Sequence, residues 1–172
     1  PGQGAQYPGM QRDIVCRFPA ALDVLSSADT VFGGKKRLSD FIYPRAAFTP
    51  EEKLLQADEL RDTSVAQPAL GAAALAAYRV MADFGLRPDA FAGHSYGELT
   101  ALCAAGAFDM TALFELSKLR GSLMAQGGGD RGGMLAVQAV FSDVSDVIKE
   151  EKIDLTVANK NTPAQFVLSG RT

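Results

Sequence analysis

One short stretch constrains this chain more than any other. Gly93-His94-Ser95-Tyr96-Gly97 follows a short apolar run, Asp89 to His94, and precedes a segment that resumes helical character at Gly97. The run is bounded by turn signals, which suits a buried parallel strand. A Gly-x-Ser-x-Gly pattern between strand and helix reads as a nucleophile elbow: the turn is tight, small residues flank it, and the serine hydroxyl is pushed out at the helix N-terminus. Free backbone N–H groups and the helix dipole there favour a developing negative charge. The other reading is a tight turn whose serine only caps the helix that follows.

The elements around this turn point to an α/β fold, a doubly wound parallel sheet with an α/β-hydrolase-like core. Phe18 to Val31 carries mixed three- and four-residue apolar spacings and stops at Gly33-Gly34, as an amphipathic helix does. Leu38 to Tyr43 reads as a helical turn ended by Pro44, and residues 45 to 62, charged and aperiodic, as a surface excursion. From Thr63 the pattern sharpens, and Gln67-Pro68 followed by the Ala-rich run to Phe84 predicts a largely buried helix, with Pro68 in its first turn and Gly85 as its stop. Gly97 to Ala105 is a further helix ended by Gly106. Asp109 to about Gln126 is another, with Asp109 or Thr111 as N-cap and Gly127 to Gly129 as terminator.

Composition changes at Gly132-Gly133, so the chain is read as a large core, residues 1–131, and a small subdomain, residues 132–172. Strands at Met134 to Val140, Leu155 to Asn159 and Phe166 to Ser169, with a helix at Ser142 to Lys152, resemble part of a ferredoxin-like split-βαβ unit.

Composition excludes more than it selects. A formal charge of -3 and a pI near 5.2 give no cationic surface for a phosphate backbone, so nucleic acid is disfavoured. No apolar run approaches the roughly 20 residues that cross a bilayer, and no leader is evident, which reads as a soluble, cytoplasmic protein without a membrane partner. Cys16 and Cys103 lie among apolar residues and read as reduced and buried, neither disulfide nor metal site.

A serine of ordinary pKa needs a base to take its proton. The one histidine in the sequence is His94, next to Ser95, and neighbours in a sharp turn point apart. His94 is therefore a poor proton acceptor and reads as a wall of the substrate site or a packed strand-end residue.

Five blocks now stand in order: Pro1-Gly2-Gln3-Gly4-Ala5-Gln6 with Gly9-Met10, Ala66-Gln67-Pro68-Ala69, Gly93 to Glu98, Lys118 to Met124, and Asn161-Thr162-Pro163-Ala164-Gln165. Together they resemble the malonyl-CoA:acyl carrier protein transacylase family, which includes the acyltransferase domains of polyketide and polyunsaturated fatty acid synthases. The resemblance implies that Ser95 takes a malonyl-type acyl group from coenzyme A and passes it to the phosphopantetheine thiol of an acyl carrier protein, with no bound cofactor and no metal. It implies that the backbone N–H groups of Gln3 and Tyr96 form the oxyanion hole, and that Arg120 pairs with the substrate's free carboxylate. The planar guanidinium fork of Arg120, late in a helix of Leu, Phe, Ala and Ser, suits that role, although a cation near a helix C-terminus also has a dipole rationale. Gln67 and Asn161 match family positions near the active site and could equally serve turns or caps.

The chain departs from the family in three respects. An apolar strand normally leads into the Gly-Gln-Gly loop, and the family's histidine lies beyond the Asn-x-Pro-x-Gln block. Both ends therefore read as cut, with other synthase domains as possible neighbours, and these residues alone are expected to be inactive. Tyr96 stands where an aliphatic residue is common, with little expected consequence. Two rival readings remain: a serine hydrolase or thioesterase using the same elbow, and a non-catalytic fragment that docks a carrier protein.

Overall fold

The computed structural model describes residues 1–125 and 132–171, and the chain divides into two units, Pro1–Gln126 and Gly127–Thr172. The first begins with the glycine loop and two short-spaced helices, α1 (Arg12–Arg17) and α2 (Pro19–Phe32). Pro19 opens α2, where its missing N–H costs nothing, and Gly33 at φ 63° closes it. A single turn, α3 (Leu38–Ile42), follows.

Residues 45–62 are not an irregular excursion. Pro50–Arg61 forms α4, started by a reciprocal cap: Glu52 N–H donates to Thr49 Oγ1 at 3.2 Å and Thr49 N–H to Glu52 Oε2 at 3.2 Å. Thr-Pro-Glu-Glu is a capping box with proline at the first helical position, a legible signal that apolar periodicity alone overlooks. The helix is mostly exposed, and among its residues only Leu60 is buried.

Helix α5 (Thr63–Asp83) is the axis of this unit. Asp62 caps it, its Oδ1 accepting from Ser64 N–H at 2.8 Å. The start at Thr63 places Pro68 inside the helix rather than in its first turn. Proline there leaves the Ser64 carbonyl without its i+4 donor, a defect costing about 3 kcal/mol. The Ala66–Leu70 stretch that carries it is buried, and burial of Leu70 contributes roughly 1.5–3 kcal/mol against that cost. Ala69, Ala72, Leu75 and Ala76 pack with Val24, Leu25 and Ala28 of α2, and with Leu113 and Phe114 of α7 (Met110–Ala125). Asp109 is the cap of α7, accepting from Ala112 N–H at 2.8 Å. Lys118 of α7 donates to the Phe32 carbonyl at 2.8 Å and so closes the C-terminus of α2. The expected terminator, Gly127 to Gly129, lies outside the described residues.

Between α5 and α7 comes α6 (Gly97–Ala104). The segment before it, Asp89 to His94, is not the buried strand expected. It is irregular chain, largely exposed, held by an edge-on contact of Phe91 with Tyr78 at 5.2 Å between centroids. A strand is defined by its neighbours, and no strand is present among the described residues of this unit. The doubly wound sheet is accordingly not formed by these residues. Burial of the cysteines is also not observed: Cys16 is exposed on the surface helix α1, and Cys103 is half-buried near the end of α6. Apolar sequence neighbours place a side chain on a helix, not on its inner face.

The second unit runs β1 (Gly133–Val137), α8 (Phe141–Glu150), β2 (Thr156–Thr162) and β3 (Gln165–Gly170). Both pairings are antiparallel and the order is β1-β3-β2. β1 and β2 therefore run in one direction with β3 between them. Phe166 and Leu168 of β3 are buried, and the Phe166 ring meets Phe141 of α8 edge-on at 5.5 Å. Among the described residues no helix is long and apolar enough to cross a membrane.

Candidate active site

The turn around Ser95 is held by backbone geometry. Ser95 has φ 53°, in the left-handed region that ordinary residues enter at a cost of about 1–2 kcal/mol. Gly97 N–H donates to the His94 carbonyl at 2.9 Å and Glu98 N–H to the Ser95 carbonyl at 3.1 Å, so the chain reverses directly into α6. Gly93 is required by the same closure: a Cβ there would collide with the backbone of Gly97 and Glu98. Ser95 and His94 are left exposed.

The N-terminal loop lies on this turn. A Cβ on Gly2 would stand 2.8 Å from His94 Nδ1 and 3.4 Å from Ser95 Cβ, so only glycine lets the loop approach so closely. The backbone N–H groups of Gln3 and Tyr96 donate to nothing among the described residues. Unspent donors beside an exposed serine are what an oxyanion would require.

Side chains tie this loop to α5 and α7. Gln3 Nε2 donates to Thr63 Oγ1 at 3.1 Å, and Gln3 Oε1 faces Gln67 Nε2 at 3.3 Å. Gln67 is fully buried; its Nε2 also approaches Met124 Sδ at 3.3 Å, and its Oε1 accepts from Arg120 Nη1 at 2.7 Å. Arg120 has no acidic partner among the described residues. Arg120 lines an open cavity of about 480 Å³ whose other walls are Leu99, Leu116, Leu119, Leu123 and Met124. A cation with one neutral partner in an apolar hollow is poised for an anionic group. A further cavity of about 640 Å³ between α3 and α4 is lined by Lys36, Tyr43, Arg45, Glu52 and their neighbours, none of them a candidate residue.

Of the residues expected from sequence, Gln3, Gln67, His94, Ser95, Tyr96 and Arg120 all belong to the first unit, and a hydrogen-bonded chain joins Gln3, Gln67 and Arg120. Asn161 lies in the second unit, exposed, at the register shift of the β2–β3 pairing between Lys160 and Thr162. The side chain of Tyr96 differs from expectation. It is 1% exposed and its hydroxyl lies 2.7 Å from Ser117 Oγ in the interior. Burial pushes its pKa up to about 12 against the opposing effect of the Ser117 hydrogen bond.

Residues 1–172 match the family described as the acyl transferase domain. The polyketide biosynthesis protein PksE of Bacillus subtilis is 37% identical over 173 residues, covering 99% of this chain and 20% of that protein. The structure of an acyl-carrier-protein-S-malonyltransferase from Bartonella henselae superposes with TM-score 0.82 at 36% identity, over 99% of this chain and 53% of that one. A type II polyketide synthase acyl-carrier protein in complex with its malonyl-transacylase gives TM-score 0.81 at 33% identity, over 100% and 53%. The fold is thus that of the α/β acyltransferases. The chain belongs to the acyl transferase domain family, and it spans about a fifth of the first of these relatives and about half of the other two.

Proposed function

We propose that this chain carries the nucleophile, oxyanion hole and acyl-carboxylate site of a transferase that moves a malonyl-type group from coenzyme A to the pantetheine thiol of an acyl carrier protein. One observation carries the reading: a single hydrogen-bonded chain runs from Gln3, whose loop rests on Ser95, through buried Gln67 to Arg120. A hydrolase needs no such link between its oxyanion loop and a cation. The names of the similar proteins, a malonyltransferase and a malonyl-transacylase bound to its carrier protein, support it.

In this mechanism a base removes the Ser95 hydroxyl proton as Oγ attacks the thioester carbonyl. The carbonyl π electrons move to oxygen, and the Gln3 and Tyr96 N–H groups hold the resulting oxyanion. The C–S bond then breaks, the coenzyme A thiolate takes the proton back from the base, and an acyl-serine ester remains. The carrier thiol repeats the sequence in reverse roles: its sulfur attacks the ester, and Ser95 leaves and is reprotonated. Arg120 pairs with the distal carboxylate and fixes the acyl chain during both halves. His94, the one histidine present, precedes the serine in its own turn and is a poor candidate for that base. The Gly93–Gly97 turn is on this view a nucleophile elbow, residues 1–131 the catalytic core, and residues 132–172, with their split β-α-β-β order, a ferredoxin-like subdomain that carries Asn161.

The test is acyl transfer by the full-length protein. With malonyl-CoA and a pantetheine-bearing carrier protein, the expected product is malonyl carrier protein with ping-pong kinetics. Release of free malonate without carrier acylation would instead establish a thioesterase.

A further inference from the structure

Tyr96 performs more than its backbone requires. Its hydroxyl meets Ser117 Oγ at 2.7 Å, and the Ser117 hydroxyl donates to the Leu113 carbonyl at 2.6 Å. A serine hydroxyl has one proton, so the phenol is the donor to Ser117. Room for the phenol exists only because residue 71 of α5 is glycine: a Cβ there would collide with the Tyr96 oxygen. The ring thus spans from the nucleophile turn to α5 at Gly71 and to α7 at Ser117.

The same two helices carry the carboxylate site one turn further on. Gln67 lies four residues before Gly71 on α5, and Arg120 three residues after Ser117 on α7, so each pair shares a helix face. Gln67 and Arg120 meet at 2.7 Å. Ser95 is covalently next to Tyr96. The phenol is therefore the rigid strut between the attacking oxygen and the guanidinium. We infer that the Tyr96 side chain is a positioning residue that sets the spacing between Ser95 and Arg120, and through it the preference for acyl groups bearing a carboxylate. The inference rests on the acyltransferase reading above.

Spacing is a kinetic quantity here. An acyl group tethered at both ends is aligned for attack only if the tethers are correctly separated, and a displacement of about 1 Å can cost up to about 100-fold in rate. An acetyl group has no second tether and is indifferent to it.

The test measures serine acylation by the full-length protein with malonyl-CoA and with acetyl-CoA, for wild type, Tyr96→Phe and Ser117→Ala, with Tm recorded for each. Tyr96→Phe keeps the ring and removes only the anchor. The expected result is a fall of about tenfold in malonyl kcat/KM, carried in kcat, with acetyl kcat/KM changed less than about twofold. Ser117→Ala should move the malonyl-to-acetyl ratio in the same direction, and in an Arg120→Ala background Tyr96→Phe should no longer change that ratio. Equal losses for both substrates, or a ratio unmoved in both variants of a malonyl-preferring wild type, overturn the assignment of Tyr96 alone. A wild type that acylates Ser95 with neither substrate overturns the acyltransferase reading instead.

Discussion

Gln67 Oε1 accepts from Arg120 Nη1 at 2.7 Å, across 53 residues of sequence, while the other end of the same buried amide faces Gln3. An amide can do both because it is donor and acceptor at once. Replacement of Gln67 by leucine keeps the volume and removes both functions. The expected loss is about 1–3 kcal/mol of stability, since Arg120 and Gln3 lose a buried partner, together with at least about a tenfold fall in malonyl kcat/KM. Denaturant unfolding and acylation kinetics check the two parts separately; retention of full activity would remove Gln67 from the site.

Gly71 and Tyr96 are a matched pair, and their substitutions should couple. Gly71→Ala alone forces a Cβ into the phenol oxygen and is expected to destabilise by about 1–3 kcal/mol through overpacking. Combined with Tyr96→Leu, whose shorter side chain vacates that space, the alanine should be close to neutral. A double-mutant cycle in thermal unfolding measures the coupling, expected at about 1 kcal/mol or more.

Alkaline stability should follow the buried phenol. Tyr96 is raised from 10.0 to about 12 in the fold, so the folded state favours the protonated form. That contribution is complete below pH 10 and is lost between pH 10 and pH 12, amounting to about 2–3 kcal/mol. Half-buried Tyr43, also raised to about 12, loses stability in the same window. The quantity to read is therefore the difference between wild type and Tyr96→Phe in unfolding free energy, which should shrink as the pH rises through this range.

The cap of α4 offers a test remote from the site. Thr49→Ala removes the acceptor for Glu52 N–H and should cost about 1 kcal/mol, while acyl transfer is unchanged. A loss of activity equal to that of a site variant would tie α4 to the chemistry.

Much of this arrangement is legible in the sequence because it is local. Gly33, Gly85 and Gly106 end helices where periodicity stops, and the Ala-rich run encodes α5 unaided. Composition changes from helical to β-rich at Gly132-Gly133, while the two units divide between Gln126 and Gly127. What escapes is non-local. Helix α4 has no apolar stripe, so only Thr49 and Glu52 announce it. Asp89 to His94 has the composition of a buried strand, yet strand character depends on partners that these residues do not provide. The Tyr96 anchor depends on Gly71 and Ser117, which meet only after α5 and α7 pack. Family resemblance draws attention to the Tyr96 backbone and away from its side chain, because many side chains can follow the serine when only the N–H is used.

Acylation of Ser95 tests the central claim most directly. The full-length protein, incubated with malonyl-CoA and quenched in acid, is digested and mapped by mass spectrometry beside Ser95→Ala. The account predicts one malonyl ester on Ser95 of the wild type, none in the variant, and its discharge on adding a pantetheine-bearing carrier protein. A malonyl group on another residue, or equal labelling of Ser95→Ala, would contradict it.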